Sequence, residues 1–149
     1  MKTPYQDWKK KSQKRWDEFI DKNCFFAYND KQFNEGLEKL HTTENGIVRT
    51  YTGMFVLKNK TDELHQLMEK TDKEEEEGKK DPDFVYDMFR TELADHEYWV
   101  TFSYEETFDA CGVTAKQVNN NPMWLEQLNR ARKDYIKDMI AWEEREERE

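Results

Sequence analysis

Little in this chain bends or cross-links it: 149 residues include only two cysteines, three prolines and five glycines. Cys24 and Cys111 lack C-x-x-C spacing and sit among apolar or small residues, so they are expected to be reduced core thiols rather than a disulfide or metal pair. Five glycines leave little material for a backbone cradle around phosphate. Neither a phosphate loop, a dinucleotide glycine pattern nor a nucleophile elbow occurs, and no cofactor is expected. No run of about 18 apolar residues is present, and the basic, aromatic start MKTPYQDWKKKSQKRW has no signal-peptide core. These absences predict a soluble, unexported, cytoplasmic chain that does not engage a membrane.

What the chain does have is charge and aromatic rings. Charged residues make up 38% and apolar residues 36%, yet five Trp, seven Tyr and nine Phe supply large units for burial. The length suits one domain with one core, so residues 1–149 are expected to form a single globular domain. The net charge of −9 is uneven, with five basic and fourteen acidic residues between Thr61 and Glu97. Residues 1–22 carry seven basic against four acidic residues. Phosphate neutralisation needs a basic face, so direct nucleic-acid binding is not expected; only Lys9, Lys10, Lys11, Lys14 and Arg15 of the first helix could offer one.

Local signals give the elements. Thr3-Pro4 opens a helix over about residues 5–22. Cys24–Tyr28 is predicted to be a buried strand leading to a cap at Asn29-Asp30, and Phe33, Leu37 and Leu40 then recur at helical spacing. Ile47–Lys58, broken by Gly53, suggests two strands or one with a bulge. A helix beginning at Asn59 or Thr61 carries Leu64, Leu67 and Met68, and is expected to dissolve in the Glu74–Gly78 run. Asp81-Pro82 restarts helix with the stripe Val85, Met88, Phe89 and Leu93. Tyr98–Tyr104 is predicted to be a strand near the sheet centre. Glu105–Cys111 reads as a short helix stopped by Gly112, Thr114–Gln117 as a capping box, and Asn121-Pro122 as the start of a last helix whose acidic end frays from about residue 143. The sum is an α+β fold: a small antiparallel or mixed sheet of three to four strands packed with five to six helices.

Three features could carry function. Glu92, Asp95, His96 and Glu97 are the metal-ligand types of a zinc or manganese site, the basis for a small metal-dependent hydrolase or nuclease. The ordinary alternative is a helix-terminal histidine bonding a neighbouring carboxylate. Tyr98, Trp99, Phe102 and Tyr104 in one predicted strand, and Phe25, Phe26 and Tyr28 in another, could stack bases or grip a partner if exposed; if buried, they fill a core. Glu74, Glu75, Glu76 and Glu77 could form an acidic face for a basic protein surface, or a solvated run.

Two blocks also resemble a known family. Cys24–Gly36 (CFFAYNDKQFNEG) is similar to the F-F-A-[FY]-x-x-x-Q-F-x-E-G segment of small proteins of unknown function from phages and prophages of gut and related bacteria. Glu92–Tyr98 with Thr107–Thr114 resembles a second stretch of that family, in which leucines stand where this chain has Cys111 and Val113. The resemblance implies a mobile-element context in a bacterial cytoplasm and no activity. The expected role is a non-enzymatic accessory protein that binds a host or phage macromolecule, such as an acidic inhibitor of a nucleic-acid-handling or defence protein.

Overall fold

The computed structural model describes residues 3–148. Among them the chain forms eight α-helices and one three-stranded antiparallel sheet. The elements are α1 (Pro4–Asn23), β1 (Cys24–Phe25), α2 (Asp30–Lys39), β2 (Ile47–Arg49), β3 (Phe55–Leu57), α3 (Thr61–Gly78), α4 (Pro82–Asp95), α5 (Tyr98–Thr101), α6 (Glu105–Cys111), α7 (Ala115–Asn119) and α8 (Pro122–Arg148). The fold divides into two compact units, one of residues 9–74 and the other of residues 1–8 with 75–149.

In the unit of residues 9–74 the strands run in the order β1-β3-β2. Cys24 pairs with Val56 and Phe25 with Phe55, so alternation sends the two pairs to opposite faces. Cys24 and Val56 pack with Met54 and Leu64 and with half-buried Trp16, Phe19 and Ile20. On the other face Phe25, Phe55 and Phe33 of α2 form a ring cluster with centroids 5.2–6.0 Å apart. Asn29 caps α2 by accepting the Gln32 N–H at 2.8 Å. A turn at Thr50–Gly53 joins β2 to β3, with Gly53 at φ 90°. Burial of Cys24 pushes its thiol up to about 11, which keeps it protonated and unreactive at neutral pH.

The other unit is built around α4. Val85, Met88, Phe89 and Leu93 are completely buried, and Phe84 nearly so. Asp81 caps the helix by accepting the Asp83 N–H at 3.0 Å, and Pro82 occupies its first turn. α4 lies against α8, α6 and α5, and Leu128, Ala131 and Tyr135 of α8 join the core. Tyr5, Trp8 and Phe84 form a second ring cluster, with centroids 5.4–5.9 Å apart. Gly112, at φ 66°, ends α6 in the left-handed conformation, and Thr114 and Gln117 form the capping box of α7.

Three expectations are corrected by this arrangement; the first is the buried strand over Cys24–Tyr28, because β1 ends at Phe25 and Phe26 and Tyr28 are exposed. Tyr98–Tyr104 is not a strand: residues 98–101 are a helical turn and the sheet lies wholly within Cys24–Leu57. The spacing of Tyr98, Trp99 and Phe102 fits one helical turn as well as a strand, so a short aromatic run does not separate the two. The Glu74–Gly78 run does not dissolve; it is the last turns of α3. Lys79 lies 3.0 Å from Glu75 and Lys80 2.9 Å from Glu77, so i, i+4 and i, i+3 pairs offset the repulsion within the run. There are therefore more helices than the five to six expected. The charged end from Glu143 continues α8 to Arg148 and is exposed, while Glu149 lies outside the described residues.

Two substitutions test the cores. A Cβ on Gly36 would lie 2.1 Å from the Phe25 ring, so Gly36→Ala should destabilise by about 1–3 kcal/mol through overpacking, despite alanine's better helix propensity. Phe89→Ala should cost about 3–5 kcal/mol through the cavity it leaves. Urea denaturation measures both; an unchanged midpoint for either would refute the packing assigned to that residue.

Candidate functional site

Two carboxylates lie inside the α4 unit, and both are met by the first turn of α1. The Tyr5 hydroxyl donates to Glu92 Oε1 at 2.7 Å. Asp87 accepts the Gln6 backbone N–H at 2.9 Å and its side-chain amide at 2.8 Å. His96 Nε2 lies 3.1 Å from Glu92 Oε2, and its Nδ1 lies 4.0 Å from Glu106. Burial, then the Glu92 carboxylate, raises the Tyr5 phenol far above its ordinary range, so it remains a donor.

That arrangement uses the Glu92 oxygens within the protein. Asp95 and Glu97 are exposed. Among the described residues, no group of three or more His, Cys, Asp or Glu side chains is arranged to hold a metal ion. Glu92, itself 1% exposed, and the helix-terminal His96 thus form a close carboxylate–imidazole pair. A groove of about 500 Å³ between the start of α1, α4 and α8 has its charges largely paired. Arg90 donates to Asp138 at 2.8 Å and Tyr86 to Asp134 at 2.5 Å, and burial and Asp134 together push the Tyr86 phenol up to about 12.

The most unusual geometry lies immediately after His96. Glu97 (φ 55°, ψ 40°) and Phe102 (φ 53°, ψ 26°) bracket the single turn of α5 in the left-handed conformation that non-glycine residues rarely adopt. The Phe102 N–H donates to the Tyr98 carbonyl at 2.8 Å, which closes the turn. Inside it Tyr98 is buried and stacks on Tyr104 at 5.1 Å, and Tyr104 in turn stacks on Phe108 at 5.2 Å. Burial and the Tyr98 hydroxyl push the Tyr104 phenol up to about 12. Arg132 Nε donates to the Tyr98 hydroxyl at 2.8 Å, and the Trp99 indole N–H donates to Glu143 at 2.7 Å.

With Tyr98 held inward and Trp99 half-buried, the turn presents its remaining apolar residues outward. Val100 is 73% and Phe102 61% exposed. The Phe102 ring meets Tyr98 edge-on at 5.8 Å and Trp99 at 6.0 Å, which holds it upright without covering it. Exposed acids flank the turn in the chain: Asp95 and Glu97 before it, Glu105, Glu106 and Asp109 after it.

Of the aromatic residues singled out from sequence, Tyr98, Trp99 and Tyr104 are therefore the support and Phe102 is exposed, while Val100 is the exposed residue that reading missed. The strand assignment obscured which of these side chains face outward, because it ignored the helical spacing of Tyr98 and Phe102. In the other candidate surface Arg15 meets Glu74 with both terminal nitrogens, Glu75 meets Lys79 and Glu77 meets Lys80, while Glu76 and Glu77 are exposed. Among the described residues, no helix is long and apolar enough to cross a membrane.

The model of a family of unknown function (DUF7659) matches residues 4–134, and the chain belongs to that family. The matched span includes every element from α1 to α7 and ends within α8. No curated protein and no solved structure matches the chain.

The backbone at Glu97 generates a direct test. Glycine adopts that conformation without the steric cost of a Cβ, so Glu97→Gly should raise stability by about 0.5–1 kcal/mol after its extra unfolded-state entropy is subtracted. A loss of stability in chemical denaturation would show that the glutamate side chain, and not the packing of Tyr98, holds the turn.

Proposed function

We propose that this chain is a non-enzymatic binding protein whose α5 turn inserts Val100 and Phe102 into an apolar pocket, rimmed by Lys and Arg, on a protein partner. The observation that carries the reading is an exposed phenylalanine on strained backbone: left-handed residues such as Phe102 and Glu97 concentrate where structure serves binding. An aromatic ring braced by its neighbours loses little side-chain entropy on docking, the property that makes aromatics frequent anchors of interfaces.

Charge supports the basic rim. Residues 1–8 with 75–149 carry 11 Lys and Arg against 21 Asp and Glu, whereas residues 9–74 carry 13 against 12. The acidity of the protein thus belongs to the unit that bears α5. Acidic residues around an apolar anchor speed encounter with a basic partner and disfavour acidic ones. The mobile-element setting implied by the resemblance suits such a role: a small accessory protein in a bacterial cytoplasm that occupies the basic groove of a nucleic-acid-handling protein.

Phe102→Gly provides a clean test, because it removes the ring while keeping backbone that glycine adopts freely. The variant should melt at or above the wild-type temperature and bind the partner at least about tenfold more weakly, the loss of one interface anchor. The partner is the protein cross-linked to wild type and lost from Val100→Asp, with affinities then measured by surface plasmon resonance. On-rates should fall as salt rises. Equal affinity of wild type and Phe102→Gly would overturn the proposal.

A further inference from the structure

The unit of residues 9–74 contains a pocket unrelated to the α5 turn. It has a volume of about 260 Å³ and is lined by Trp16, Tyr51, Met54, Leu64, Met68 and Asp72 together with three threonines. Met54 and Leu64 are buried and make its apolar floor, Met68 is part-exposed, and Tyr51 stands 96% exposed on the turn between β2 and β3. The volume is below the range usual for drug-sized ligands, so the occupant is compact.

The polar groups narrow its chemistry. Thr50 and Thr52 hydroxyls bond each other at 2.8 Å. The Thr71 hydroxyl accepts the Trp16 indole N–H at 3.0 Å and donates to the Leu67 carbonyl at 2.8 Å. Asp72 is exposed and, among the described residues, forms no ion pair or hydrogen bond. The one uncommitted charge on the pocket is therefore negative, and it stands with an indole, a phenol ring and two thioethers. Aromatic faces and a carboxylate attract a cation, while the methionine and leucine floor favours one that carries methyl groups rather than a hydration shell.

We infer that this pocket binds a small alkylated ammonium ion, with the cationic head between Trp16 and Tyr51 and beside Asp72. The inference is independent of the α5 reading. Choline is the probe, and 3,3-dimethylbutan-1-ol, its neutral isostere of nearly the same shape, is the control. In protein labelled with ¹³C at the methionine methyls, choline should shift the Met54 and Met68 signals saturably and leave Met88 and Met139 in place. The isostere should bind about tenfold more weakly, and Asp72→Asn should weaken choline at least about threefold while leaving the isostere unchanged. Tyr51→Ala, a change at an exposed tip, should weaken choline likewise. Absence of saturable shifts, or equal binding of choline and its isostere, would overturn the inference. Co-sedimentation with phosphatidylcholine vesicles would also overturn it, by assigning the pocket to a lipid surface instead of a free ion.

Discussion

The structure of the α4 unit depends on how Glu92 is accommodated. α4 is buried around nearly its whole circumference, and such a helix is normally apolar on every face. Here it carries Glu92 and Asp87, which are 1% and 5% exposed. An unmet carboxylate at that depth would cost several kcal/mol, so the helix is stable only where donors are brought to both. Tyr5 and Gln6 bring them from adjacent positions on α1. Glu92 also fixes the chain beyond α4. Its second oxygen meets His96, and its backbone carbonyl accepts the His96 N–H at 3.0 Å and lies 3.5 Å from the Thr107 hydroxyl of α6. One residue thereby ties the start of α1, the end of α4 and α6 together.

The strain at α5 is a consequence of that anchoring. With His96 held at Glu92 and Thr107 held at the same carbonyl, the ten residues between them must leave α4 and return to α6. Tyr98 takes the inward position because its ring completes the stack with Tyr104 and Phe108 and its hydroxyl has Arg132 as a donor. Stacked rings contribute about 0.5–1.5 kcal/mol each beyond their buried area, comparable to the cost of a left-handed residue. The aromatic stack can therefore sustain the unfavourable backbone at Glu97 and Phe102. A strand through residues 98–104 would have sent Tyr98, Val100, Phe102 and Tyr104 to one face, and could not have buried the tyrosines while exposing Val100 and Phe102.

Much of the framework was legible in the sequence because it rests on local chemistry. Thr3-Pro4, Asn29, Asp81-Pro82, Gly112 and the Thr114–Gln117 capping box each act within one turn of chain, and each marks the boundary it predicts. The Val85, Met88, Phe89, Leu93 stripe is core as its spacing requires. What was not legible depended on partners distant in sequence. Nothing near Glu92 indicates that Tyr5, 87 residues away, will donate to it. Nothing near Glu74 indicates that Arg15 will pair with it, 59 residues away. Which side chains of the candidate site face outward was obscured for a similar reason: whether Tyr98 or Phe102 turns inward is decided by Tyr104, Phe108 and Arg132, not by the run itself.

Phe102 bears most directly on the proposed binding role because stability alone does not account for its exposure. The side chain is 61% exposed, so most of its ring gains nothing from burial, and its two ring contacts are with residues already supported by other partners. A glycine would satisfy the same backbone at lower steric cost. Tyr104 is stacked on both sides, by Tyr98 and Phe108, and Tyr98 also accepts a hydrogen bond from Arg132. Phe102 has neighbours on one side and solvent on the other, with acidic residues before and after it in the chain. An apolar surface supplied on the open side, with positive charge at its edge, would complete its packing and answer its electrostatic surroundings together.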